Sequence, residues 1–133
     1  MVALVLGCAL CAALPSPASA YTAFWNPART VGCVIDTGYA RCDARAPGWA
    51  TPARPAWCRS EYGQGAAITW FGRAGLVCAD DTALIARPAR ILPYGGVVRL
   101  GRLGCKSTRR YVVCQNLRTG RGFRISRSRY RLL

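Results

Sequence analysis

The chain of 133 residues is long enough for one domain and too short for two, and it contains 19 basic residues, five acidic residues and no histidine. The lack of histidine excludes the nucleophile–histidine pairs and histidine-ligated metal centres on which many enzymes depend. A net charge of +14 favours acidic partners over basic ones.

The first segment has the features of an export signal. Residues 1–14 are apolar or small, and the sequence PSPASA follows them. This pattern predicts a cleaved signal peptide over residues 1–20 and a single mature domain over residues 21–133. The apolar run is shorter than the roughly 20 residues that a membrane-spanning helix needs. Because no basic residue precedes the run, the alternative is an upstream start, in which case Cys8 would be a candidate lipid-anchor site.

The rest of the chain indicates an all-β fold. Short β-branched and aromatic runs lie between proline and glycine turns, and no window shows a convincing 3.6-residue apolar period. The Pro-rich segment 44–60 is predicted to be a loop whose Trp49 and Trp57 cover the core. Pro88 limits the segment 80–93 to at most one helical turn. The predicted strands are 31–35, 39–43, 66–71, 75–79, 96–100, 102–106, 111–115 and 122–126.

Six cysteines in the predicted mature domain are typical of a disulfide framework in a small exported protein. Residues 32–42 and 104–114 both begin with Gly-Cys and end with a second cysteine, with eight residues between the two cysteines. Each segment predicts a β-hairpin with facing cysteines, one closing on Thr37–Gly38 and the other on Arg109–Arg110. No pair in this domain has the close spacing of zinc ligands or of a redox motif. The predicted disulfides are Cys33–Cys42, Cys58–Cys78 and Cys105–Cys114, and the predicted fold is a small hairpin-built barrel or sandwich.

The order RTVGC…ARCD, followed by CADDT (78–82), LPYG (92–95) and TGRGF (119–123), resembles a family of small secreted proteins and lipoproteins from actinobacteria. That family is known only as a domain of unknown function. The resemblance covers the chain from about Phe24 to Leu133. It implies an exported, disulfide-linked domain and assigns no catalytic residue.

The acidic residues do not form a recognisable catalytic set. A glycosidase needs two carboxylates that face one bond, whereas the neighbours Asp80 and Asp81 would point to opposite faces of a strand. Asp81 is expected to turn the chain or to pair with an arginine. Lys106 is the only lysine, and no supporting motif accompanies it. We therefore predict that the protein is not an enzyme and that it needs neither cofactor nor metal.

Positive charge is concentrated in the second part of the chain. Residues 21–81 contain six arginines and five acids, a net charge of +1, whereas residues 82–133 contain twelve arginines, one lysine and no acid, a net charge of +13. Such a region attracts polyanions through its long-range field and through counterion release. A GC-rich gene would also enrich surface arginine without any ligand, although it would not confine the acids to the first part.

The C-terminal tail is the most specific part of this basic region. If the tail is extended, Arg127, Arg129 and Arg131 lie on one face about 6.6–7 Å apart, which resembles the spacing of successive phosphates. The candidate anion-binding residues are Arg121, Arg124, Arg127, Arg129 and Arg131.

These observations predict a non-catalytic binding module, secreted or in the cell envelope. Its basic half would dock on an anionic polymer, a lipid surface or an acidic protein, while nucleic acid would bind only nonspecifically. The protein is expected to be a monomer. The alternative function is that of a secreted inhibitor or effector acting through the loop 44–57.

Overall fold

Two β-sheets pack against each other in the part of the chain that the structure, a computed structural model, describes: residues 22–85 and 89–133. The predicted signal peptide lies outside these residues. The strands are β1 (Thr22–Trp25), β2 (Val31–Ile35), β3 (Tyr39–Ala44), β4 (Tyr62–Thr69), β5 (Gly75–Cys78), β6 (Arg90–Ile91), β7 (Val97–Leu100), β8 (Leu103–Ser107), β9 (Val112–Asn116), β10 (Gly122–Ile125) and β11 (Tyr130–Leu132). The first sheet has the order β5-β4-β3-β2-β1-β6, and the second has the order β11-β10-β9-β8-β7.

Adjacent strands are antiparallel except where β1 pairs with β6. The all-β, hairpin-built fold is thus confirmed. Among the described residues there is no helix long and apolar enough to span a membrane.

Side-chain alternation explains how each sheet acquires a buried face. Along β9, Val112, Cys114 and Asn116 are buried, whereas Val113 and Gln115 between them are only partly buried. This period of two is the signature of a strand with one face on a core. The core between the sheets includes the large apolar side chains Phe24, Ile35, Ile68, Leu103, Phe123 and Ile125.

Two disulfides occupy the centre of this core. Cys33–Cys42 joins β2 to β3, and Cys105–Cys114 joins β8 to β9, each with a Cα–Cα distance of 4.1 Å. The Sγ atoms of Cys42 and Cys114 are 3.6 Å apart, so the two bridges contact each other across the sheets. In the loop-entropy model a bridge over such a short loop stabilises the fold by about 2.5–3 kcal/mol. The third disulfide, Cys58–Cys78, links the Pro-rich loop to β5. All three predicted pairs are therefore confirmed.

Both predicted hairpin turns are found at the expected residues. The Asp36 amide donates to the Tyr39 carbonyl, and the Asp36 carboxylate accepts the Gly38 amide. The Thr108 amide likewise donates to the Tyr111 carbonyl. The two hairpins therefore share their turn length as well as their cysteine spacing.

Several expectations about the chain were wrong. Strands β1, β6 and β11 were not predicted, and β4 begins at Tyr62 rather than at residue 66. The described residues of segment 80–93 contain no helical turn, and β6 lies there because β1 offers it a parallel partner. Trp57 does not cover the core, since 70% of its surface is exposed. Trp49, by contrast, does pack against the core.

Candidate functional site

A groove of about 630 Å³ lies at one end of the second sheet, between the β8–β9 turn and the β10–β11 turn. Four arginines and two tyrosines line it, together with serines of the β10–β11 turn. We call it the arginine groove. Its charged and aromatic lining residues are Arg110, Arg124, Arg129, Arg131, Tyr111 and Tyr130.

Strand pairing brings two of these arginines side by side. Arg124 on β10 lies directly opposite Arg131 on β11. Like charges in directly opposed positions destabilise a sheet. The stability of the sheet therefore does not account for this pair, whereas an anion held between the two guanidiniums would.

The same register extends the positive charge across the outer face of the second sheet. Val97, Lys106, Val113, Arg124 and Arg131 occupy successive positions of one cross-strand row from β7 to β11. Neighbouring strands are about 4.8 Å apart. Three cations thus lie in a line perpendicular to the strands, and the row ends in the arginine groove.

The C-terminal tail turns at residues 126–129 and does not have the extended conformation on which the predicted arginine spacing depended. The Ser126 amide donates to the Arg129 carbonyl, and the Ser126 hydroxyl accepts the Arg129 amide. The Arg127 carbonyl accepts the Gly48 amide at 2.8 Å, which ties this turn to the Pro-rich loop. Arg127, Arg129 and Arg131 therefore do not form one evenly spaced line.

The aromatic walls of the groove are held by their neighbours. The Arg124 guanidinium lies 4.8 Å from the centre of the Tyr111 ring, a cation–π contact. Tyr130 packs edge-to-face on Trp49 at 5.3 Å, and the Trp49 indole donates to the Gly63 carbonyl. The rings are thus partly fixed before any ligand arrives.

The acidic residues of the chain lie elsewhere, and none lines the groove. Both ion pairs among the described residues belong to Arg41 on β3. Its guanidinium donates two hydrogen bonds to the buried Asp43 carboxylate, at 2.7 and 2.9 Å, and one to the exposed Asp81 carboxylate at 2.7 Å. The hydrogen bond and charge of Arg41 lower the pKa of Asp81 below its ordinary value. The expectation that Asp81 pairs with an arginine is confirmed.

This Arg41 network fastens a loop to the outer face of the first sheet. The Asp43 carboxylate accepts the amide of Ala83, and Arg41 donates to the main-chain carbonyl of Asp81. The Trp25 indole also donates to the Ile85 carbonyl. The contacts of Arg41, Asp43 and Asp81 are therefore those of a structural cross-link.

The structure brings together three of the five candidate residues. Arg124, Arg129 and Arg131 line the groove. Arg121 lies in the β9–β10 turn, at the opposite end of the sheet, and Arg127 is not among the lining residues. The two ends of the second sheet are about 17 Å apart, because β9 runs between them and has five residues.

Three groove residues, Arg110, Tyr111 and Tyr130, were not predicted from the sequence. A signal for the first two was present, because the pairing of Cys105 with Cys114 places the 109–110 turn at the end of β8. A β10–β9 hairpin then brings residue 126 to the same end. The antiparallel order of the strands was therefore enough to juxtapose these turns, once β11 was recognised.

One group of potential metal ligands lies among the described residues. The sulfur atoms of Cys33, Cys42 and Cys114 lie within 4.8 Å of one another. All three are oxidised in disulfides, so none offers the thiolate that metals bind. Comparisons of the chain with protein-family models, with curated proteins and with solved structures found no match. The resemblance to an actinobacterial family stays a prediction.

Proposed function

We propose that the protein is an exported, non-catalytic module that binds a phosphate-bearing polymer of the cell envelope through the arginine groove. The observation that carries the proposal is the convergence of four arginines from three segments of chain on one groove without a lining carboxylate. The three disulfides are consistent with an oxidising compartment, as the predicted signal peptide requires.

Arginine suits a phosphate ligand because its planar guanidinium donates two parallel hydrogen bonds to one phosphate. The tyrosines supply flat apolar surfaces between the charges, which suit the sugar or polyol units that link phosphates in a polymer. A groove of about 630 Å³ holds a few such units. The row formed by Lys106, Arg124 and Arg131 gives a longer polyanion a path across the sheet.

The test is a titration of the oxidised protein with polyphosphate at several salt concentrations. The variant R110Q/R124Q/R129Q/R131Q removes the groove charges. Its control, R54Q/R59Q/R73Q/R90Q, removes the same number of charges from exposed arginines outside the groove. The slope of log affinity against log salt should fall by about 1 for each arginine that contacts a phosphate.

The matched control separates a site from a diffuse positive field. If the groove is the site, the groove variant loses most of its affinity and the control keeps most of its own. Equal losses in the two variants would contradict the proposal, because they would show that only net charge matters. Tight binding that does not change with salt would contradict it too.

The alternative function, inhibition of an enzyme through the loop 44–57, has one observation in its favour. Trp57 is 70% exposed at the edge of a loop that the Cys58–Cys78 bridge anchors. Exposed tryptophan is a frequent anchor in protein interfaces. W57A should abolish capture of a protein target under this alternative and leave polyphosphate binding unchanged.

A further inference from the structure

Four turns meet at the end of the molecule opposite the arginine groove. They are the turns between β2 and β3, β4 and β5, β7 and β8, and β9 and β10. Strand β9 shows the opposition directly, since it begins next to the groove residue Tyr111 and ends at Asn116, next to the fourth turn. We call this end the tip.

Hydrogen bonds join these turns into one surface. The Trp70 amide donates to the Gly38 carbonyl at 3.1 Å, and the Asn116 side chain donates to the Trp70 carbonyl. The Leu117 amide donates to the Arg102 carbonyl at 2.8 Å. The bond from Asn116 to Trp70 crosses between the two sheets, and the other two join turns within one sheet. The tip is therefore one connected surface rather than four independent loops.

The tip exposes large apolar side chains. Phe71 is 75% exposed, Leu117 is 49% exposed and Trp70 is 43% exposed. Phe71 packs edge-to-face on Trp70 at 5.3 Å, while Leu117 follows the asparagine that is bonded to Trp70. Trp70 and Phe71 thus form an exposed aromatic pair, and Leu117 is an exposed apolar side chain of the neighbouring β9–β10 turn.

Cations lie in the same turns as these apolar side chains. Exposed Arg73, Arg102, Arg118 and Arg121 lie in the same turns, and the Arg102 guanidinium is 4.9 Å from the centre of the Trp70 ring. Asp36 is the acidic side chain of these turns, and its carboxylate is engaged by the Gly38 amide. The tip thus combines exposed apolar side chains with exposed cations.

We infer that the tip docks on an anionic lipid bilayer. Aromatic side chains partition into the headgroup region of membranes, and each nearby arginine adds attraction to an anionic surface. A protein partner fits less well, because a stable protein interface buries about 800 Å² on each side. Three side chains on the ends of turns provide only part of that area, whereas each of them can enter a bilayer on its own.

This inference uses residues that the arginine groove does not contain, so either proposal can fail alone. Because the two sites lie at opposite ends of the second sheet, the molecule could bind a bilayer and an anionic polymer at the same time. The tip would then face the lipid, and the groove would face away from it.

The test is sedimentation of the oxidised protein with vesicles of phosphatidylcholine, either alone or mixed with an equal part of phosphatidylglycerol. The wild-type protein should bind the mixed vesicles and bind the neutral ones weakly. F71S/L117S should lower the partition coefficient at least tenfold, while W57S, which removes an exposed aromatic elsewhere, should leave it unchanged. Matching thermal unfolding of the variants checks that all of them fold.

Fluorescence identifies the side chain that enters the lipid. Brominated lipids should quench wild-type tryptophan emission upon binding, and W70F should lose most of that quenching while still sedimenting. Unchanged binding of F71S/L117S would overturn the inference, as would binding that only the groove variant loses. A wild-type protein that ignores the mixed vesicles would also overturn it and would favour a protein partner for the tip.

Discussion

Arg41 and Arg124 are the same residue type on the outer faces of the two sheets, yet their surroundings are opposite. Arg41 is buried, and two carboxylates and a main-chain carbonyl accept its hydrogen bonds. Arg124 is exposed beside Tyr111, opposite another arginine and in no ion pair with a described residue. An arginine whose donors are satisfied within the fold supports structure. An arginine that lies opposite another arginine has hydrogen-bond donors available for a ligand.

The largest expected effect is a loss of stability when the buried Arg41 loses its carboxylate partner. D43A leaves the buried Arg41 without its bidentate partner and the Ala83 amide without its acceptor. Removing one member of a buried ion pair typically destabilises a protein by about 3–5 kcal/mol. Chemical denaturation should show a loss of this size, whereas R124Q should change the free energy of unfolding by less than about 0.5 kcal/mol. Equal effects of the two substitutions would contradict the contrast.

A second, smaller effect is expected at the like-charge pair of Arg124 and Arg131. R131E replaces a like-charge pair across β10 and β11 with an opposite-charge pair, which should raise the free energy of unfolding by about 0.2–1 kcal/mol. The same substitution should weaken polyphosphate binding, because it places a carboxylate in the groove. Denaturation and titration of one variant would therefore move in opposite directions. R54E, which lies in a loop without a cross-strand partner, controls for the change in net charge.

The smallest expected effect is a pH-dependent contribution of the Arg41–Asp81 pair to stability. Arg41 lowers the pKa of Asp81, so the stabilisation from this pair is present above the unfolded-state pKa and is lost as the pH falls through the lowered folded-state pKa. The effect is small because the Asp81 side chain is 81% exposed. The melting temperature of D81N should therefore lie slightly below that of the wild type at neutral pH and converge with it in acid. A difference that persists below the titration range would argue against the pairing.

The sequence predicted the elements whose signals are local. Each hairpin from Cys to Cys carries its own turn residues, alternation and cross-link, so β2, β3, β8 and β9 were found almost to the residue. The missed strands depend on partners distant in the sequence. β6 contains only two residues and exists because β1 pairs with it, and β11 consists of polar and apolar residues without a turn signal of its own.

The site was predicted only in part for a related reason. The predicted spacing of Arg127, Arg129 and Arg131 required an extended tail. The Ser126 hydroxyl instead stabilises a turn by accepting the Arg129 amide. The positive character of the region was visible in the composition, but the convergence of Arg110 with Arg129 and Arg131 requires two turns from different hairpins to meet. The exposure of Trp57 and Trp70 could likewise not be predicted from the residue type, because tryptophan is suited both to a core and to an interface.

The contact between the two central disulfides has a consequence for how the protein becomes oxidised. Once the sheets have met, the sulfur of Cys42 is near that of Cys114 as well as that of Cys33, so proximity alone no longer specifies the partner. In the unfolded chain the choice is unequal, because Cys42 is nine residues from Cys33 and 72 residues from Cys114. The shorter loop is favoured by about 2 kcal/mol of closure entropy. Pairing within each hairpin before the sheets assemble would thus avoid a crossed bridge between Cys42 and Cys114.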